Sequence, residues 1–63
     1  MKEITVSLFG KGDYIDVQSA VDNAGDDGAV IFIKEGVYRQ RLLVDKPGIH
    51  LVGLGRVIIV YDI

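Results

Sequence analysis

Apolar residues fall into six short clusters along this chain, and the spacing inside each cluster differs. Ile4, Val6 and Leu8 alternate with Glu3, Thr5 and Ser7. That period of two predicts a strand over residues 3–9 with one buried face. Gly10-Lys11-Gly12-Asp13 then breaks it, since two glycines in four residues allow a tight turn. Val17, Ala20, Val21 and Ala24 lie at i, i+3, i+4 and i+7, the spacing of one helical face, and predict a short helix over about residues 16–24. Asp16 is placed to accept from the free amides of its first turn, Ile15 to act as a staple, and Gly25 to stop it. A helix this short does not hold in water alone, so its Val17/Val21 face needs an apolar surface beneath it.

The remaining clusters are β-branched and bounded by turn residues. Ala29-Val30-Ile31-Phe32-Ile33 is an unbroken apolar run, which suits a parallel strand covered on both faces. Lys34-Glu35-Gly36 reads as a turn, Arg41–Val44 as the next short strand, and Asp45-Lys46-Pro47-Gly48 as its end, because Pro47 cannot donate to a ladder. Ile49–Val52 is a further strand, Gly53-Leu54-Gly55 another turn, and Arg56–Tyr61 a last strand. Val30–Ile33 is followed about nineteen positions later by Ile49–Val52, and Leu42–Val44 about sixteen later by Val57–Val60. Two interleaved series at nearly one period are what two faces of a wound coil produce, each turn sitting roughly 4.8 Å above the last. Hairpins call for two-residue loops such as Asn-Gly, and the sequence holds no Asn-Gly pair. The fold class expected is mainly β, the start of a parallel β-solenoid with one N-terminal helix capping its first coil; a small α+β sandwich is the alternative.

At 63 residues, the chain is one small domain or a fragment of one, and a core of this size is marginal without support. Cysteine is absent and there is one histidine, which removes disulfides, thiolate chemistry and multi-histidine metal sites. Oligomerisation, or a larger parent, is the support that remains. The net charge is −2, with seven basic residues scattered along the chain; no basic stripe points to nucleic acid. No apolar run reaches the roughly 20 residues that span a bilayer, and Met1–Val6 lacks the apolar core and cleavage site of a secretory signal. Neither nucleic acid nor membrane is expected as a partner, and the compartment is left open.

Five stretches together resemble the N-terminal segment of the pectin methylesterases. Ile4-Thr5-Val6 looks like the family's opening strand, Gly12-Asp13-Tyr14 like its Gly-Asp-aromatic turn, and Val17-Gln18-Ser19-Ala20-Val21 like its capping helix. Ile33-Lys34-Glu35-Gly36-Val37-Tyr38 is similar to its Gly-x-Tyr-x-Glu box, with Gln40 in place of the usual Glu. Ile49–Arg56 looks like the next coil. The resemblance implies a right-handed parallel β-helix, a carboxylic ester hydrolase as parent, and a pectin-like polysaccharide as its substrate. It also implies that the catalytic aspartates, glutamines and arginine come from later coils. No catalytic, cofactor or metal residue carries over. Gly12, Asp13, Gly36, Tyr38, Gln40, Gly53 and Gly55 match as structural signature positions.

The function expected is a non-catalytic cap with first coils, self-associating into a homo-oligomer through a last strand at Val57, Ile58, Ile59, Val60 and Tyr61. The alternatives are a fragment of a pectin-demethylating esterase, and a carbohydrate-binding module using Tyr38, Arg39, Arg41 and His50. Each candidate also has an ordinary role. Asp13, Asp16, Asp26 and Asp27 suit turns and caps better than an acid pair or a calcium loop. Gly10-Lys11-Gly12 and Gly53-Leu54-Gly55 lack the rest of any phosphate-loop fingerprint. Tyr38 suits packing, Arg39 and Arg41 a solvated strand edge, and His50 a strand surface.

Overall fold

A computed structural model describes residues 1–60. It contains strand β1 (Lys2–Val6), helix α1 (Val17–Asp22), strand β2 (Ala29–Arg39) and strand β3 (Ile49–Val60). The three strands form one sheet in the order β1-β2-β3, and both pairings are parallel. Ile4 pairs with Ile31 and Ile31 with Leu51, so the aliphatic clusters lie directly beside one another. An open three-stranded parallel sheet of this kind is compatible with the start of a β-helix.

The core lies on one face of the sheet. Ile4, Val6, Ala29, Ile31, Ile33 and Tyr38 meet Val17, Ala20, Val21 and Ala24 from the helical segment. All four apolar positions read at helical spacing are therefore buried. Asp16 caps α1 as expected: its carboxylate accepts from Ser19 N (2.7 Å) and from Ser19 Oγ (3.0 Å). At the other end Lys2 Nζ donates to Asn23 O and Lys46 Nζ to Asp22 O, placing two cations where the helix dipole is negative. Ile15 is exposed, so the expected staple does not form; Ala20 is too small to hold it.

Four expectations are corrected. The first strand ends at Val6, because Ser7–Gly10 close a turn through Gly10 N donating to Ser7 O. The expected breaks at Lys34-Glu35-Gly36 and Gly53-Leu54-Gly55 lie inside β2 and β3. Lys34 pairs with Leu54 and Gly36 with Val57, which sets Gly55 and Arg56 opposite Glu35 alone. This is a β-bulge, with left-handed Gly55 (φ 83°) supplying its unusual backbone. Residues 41–44 are not a strand. Gln18 takes both backbone groups of Leu43, accepting from its N–H (2.8 Å) and donating to its carbonyl (3.1 Å), and these are the groups a ladder would have used. Val57–Val60 pair instead with Gly36–Arg39. Lastly, β2 is covered fully on one face only: Val30 and Phe32, on the face away from α1, are half-buried.

Two glycines mark where β2 and β3 begin. Gly28 and Gly48 both have left-handed backbone (φ 89° and 75°). A Cβ on Gly28 would lie 3.1 Å from Gly48 O, and one on Gly48 would lie 3.1 Å from Gly28 Cα. Adjacent strands can approach this closely at their starts only where both residues lack a side chain.

Candidate functional site

The signature positions are spread over the sheet: Gly12 and Asp13 beside β1, Gly36 and Tyr38 in the central strand β2, Gln40 just after it, and Gly53 and Gly55 in β3. On the β1 side, the segment after the first turn folds back along the strand. Thr5 O accepts from Asp13 N (2.7 Å) and Tyr14 N (3.2 Å), Ser7 N donates to Tyr14 O (2.9 Å), and Thr5 N donates to Asp13 Oδ2 (2.9 Å). Asp13 thus meets Thr5 with both its backbone and its carboxylate. Gly12 is fixed by proximity: a Cβ there would sit 2.8 Å from Thr5 O and 3.1 Å from Ser7 N. This loop takes up the outward-facing backbone groups of Thr5 and Ser7, which covers that margin at the end of β1.

Gln40 joins the end of β2 to the helix. Its Oε1 accepts from Val17 N (2.8 Å), and its own N–H donates to Val60 O (3.1 Å). Neutral Gln40 therefore serves one of the free amides at the start of α1, beside the Asp16 cap. Gly36 lies under Leu8, whose Cδ1 is 2.6 Å from where a Cβ would stand, and Gly53 has only ordinary room beside Val57. The Tyr38 ring is inside the core, 1% exposed, and its hydroxyl donates to Lys34 O (2.7 Å).

Of the four residues considered for saccharide contact, two come together. Arg39 and Arg41 line a cleft of about 290 Å³ with Gln40 and Val60. His50 is paired with Val30 near the opposite end of the strands, and Tyr38 is enclosed.

On the β3 side the sheet is open among the described residues. Exposure along the inward ladder runs from 2% at Ile4 and 0% at Ile31 to 40% at Leu51. Leu51 faces the same side as the core, so the absence of a further strand accounts for the rise. Val57 and Ile59 pack partly against the core, and Ile58 is exposed. Tyr61, the last of the expected association residues, lies outside the described residues.

Two features escape the sequence pattern. Gln18 clamps Leu43, and Phe9 stands in solvent at the first turn. Gln18 sits on the polar side of a helix, where its spacing carries no signal. Phe9 reads as a strand end until the Ser7–Gly10 turn is known.

The chain is 32% identical over 60 residues to the Arabidopsis thaliana protein described as "Probable pectinesterase 67". The match covers 87% of this chain and 17% of that protein, so the chain spans under a fifth of the relative's length. No family model matches the chain, and no solved structure matches it. The similarity is distant, at family level, and restricted to a short stretch of the longer protein.

Proposed function

We propose that this chain forms the non-catalytic opening coils of a pectinesterase-like parallel β-helix, with α1 capping the first coil, and that the open side of β3 accepts the next rung. In a longer parent that rung is the following coil. For this chain by itself it is a second copy, giving a homo-oligomer joined through β3, including Val57–Val60. Ester hydrolysis on a pectin-like polysaccharide belongs, in this reading, to coils other than these.

The observation that carries the reading is the inward ladder Ile4–Ile31–Leu51, buried at two rungs and open at the third. The loop beside β1 supports it, since residues 13 and 14 already occupy the outward backbone groups of Thr5 and Ser7. An apolar parallel edge with unpaired backbone groups recruits another strand.

Leu51 supplies the test. Leu51→Lys costs the isolated molecule little, because the position is already part-exposed. In a stack it forces an ammonium into the core between rungs, where an unpaired charge is very unfavourable. Sedimentation velocity at micromolar concentration is expected to show an oligomer for the native chain and a folded monomer for Leu51→Lys. A native chain that sediments as a folded monomer rules out the self-association.

A further inference from the structure

The inward row of β3 has the same pattern read from either end. It runs Ile49, Leu51, Gly53, Gly55, Val57, Ile59: two aliphatic residues, two glycines, two aliphatic residues, symmetric about Leu54. Ile49, Val57 and Ile59 pack partly against the core, and part-exposed Leu51 continues the row of Ile31. The same positions carry the unpaired backbone. Ala29 N donates to Gly48 O and Gln40 N to Val60 O. Even-numbered residues of β3 therefore turn their amides and carbonyls toward β2, and odd-numbered ones turn theirs outward.

The β1 margin of a second copy is a poor match for that edge. Alternation assigns Glu3, Thr5 and Ser7 to the outward side of β1, and residues 13 and 14 take the groups of Thr5 and Ser7. Addition of β3 to the next copy's β1, head to tail, thus meets free outward groups at Glu3 alone within that strand. The β3 edge offers Ile49, Leu51, Val57 and Ile59, and the surface that answers it best is another β3.

We propose that two copies close on each other through β3, antiparallel about a two-fold axis normal to the sheet at Leu54. The product is one six-stranded sheet. This rests on β3 being the edge that a second copy joins, and adds that assembly stops at two, since both β3 edges are then used. A two-fold contact demands a self-complementary surface, and the symmetric row supplies it. Ile49 of one copy lies opposite Ile59 of the other, Leu51 opposite Val57, and Gly53 opposite Gly55. The glycines meet beside the axis, where left-handed Gly55 (φ 83°) interrupts the ladder and no side chain crowds the approach. An axis normal to the sheet does not exchange its faces, so the two cores stay on one side. On the outer face Leu54 meets its own counterpart and Arg56 meets Val52, with no like charges opposed. A register shifted by two residues sets Val57 against Gly53 and loses the aliphatic match.

The chain has no cysteine, so a single introduced thiol reports on the axis. Even-numbered residues form the non-hydrogen-bonded pairs of this arrangement, with Cα atoms about 4.5 Å apart, within the span of a disulfide. Leu54→Cys in the full chain, oxidised by dissolved oxygen, is expected to give a disulfide-linked dimer. Its yield is expected to be about tenfold that of Val52→Cys, whose two thiols stand about 13 Å apart along the strands. Adding Leu51→Lys, on the inner face, is expected to abolish the link. Sedimentation velocity of the native chain and of both reduced cysteine variants is expected to show a dimer and no larger species as concentration rises, which also verifies that the variants fold. Oligomers that grow beyond two, without the Leu54→Cys link, overturn the two-fold closure and leave the rung reading standing. A dimer in which Leu54→Cys links no better than Val52→Cys overturns the register. A link that survives Leu51→Lys places the contact on the outer face and overturns the edge pairing. A native chain that stays a folded monomer overturns both readings.

Discussion

Gly12 has no room for a side chain, and the atoms in its way are backbone on both sides. Relieving the 2.8 Å approach to Thr5 O requires lifting the loop away from β1, with loss of the bonds that Asp13 makes to Thr5. Gly12→Ala is expected to destabilise the fold by about 1–3 kcal/mol, as forced overpacking does. Gly53→Ala is the control. Its Cβ would meet Val57 Cγ2 at 3.4 Å, an ordinary contact, and the alanine lowers the entropy of the unfolded chain; the expected change is within about 0.5 kcal/mol. Urea midpoints of the two variants separate a glycine required by its neighbour from one that is not. Gln40 is the second informative residue. Gln40→Ala leaves Val17 N without its acceptor and is expected to cost about 1 kcal/mol. Gln40→Glu, the residue usual in the family that the sequence resembles, retains the acceptor. It adds a charge that the helix N-terminus favours and the neighbouring Asp16 carboxylate opposes. Thermal unfolding at pH 7 is expected to place it within about 0.5 kcal/mol of the native chain.

At the scale of elements, legibility followed the source of each signal. The helix was readable because its cap and spacing agree, and the Asp16–Ser19 bonds and the burial of Val17, Ala20 and Val21 follow from them; it ends at Asp22 with Asn23 as its C-cap, short of the expected stop at Gly25. The parallel arrangement was readable from the recurrence of aliphatic clusters. Their exact pairing was not: Ala29 to Ile49 is an offset of 20, and beyond the bulge Gly36 to Val57 is 21. Turn residues misled the reading in one direction. Glycines between apolar runs normally end strands, yet Gly36 and Gly55 here let paired strands bend together without leaving the ladder. The opposite error arose at 41–44, where an apolar cluster had its backbone groups claimed by Gln18 from 25 positions away. No local pattern reveals a side chain that substitutes for a neighbouring strand. Among the signature positions, Gly12 and Asp13 take the turn roles that their residue types predict, whereas the bond from Val17 N to Gln40 depends on how the end of β2 meets α1. The exposure of Phe9 was not legible, because it depends on the Ser7–Gly10 turn.

For the whole molecule, the two margins of the sheet differ, and that asymmetry has a measurable signature. In a parallel ladder alternate residues of a strand bond to the same neighbour. Ala29 N donates to Gly48 O, which assigns the amides of His50 and Val52 to β2 and turns the amide of Leu51 outward. On the β1 margin the comparable outward groups of Thr5 and Ser7 are taken by residues 13 and 14. Hydrogen exchange on a dilute sample is therefore expected to show slow amides at Thr5, Ser7 and Val52, and a fast amide at Leu51. If β3 accepts a rung from a second copy, protection at Leu51 rises with protein concentration while that at Thr5 stays constant, because mass action stabilises only what the partner touches. Protection at Leu51 that is independent of concentration, alongside a sedimenting oligomer, places the contact between copies elsewhere than the β3 edge.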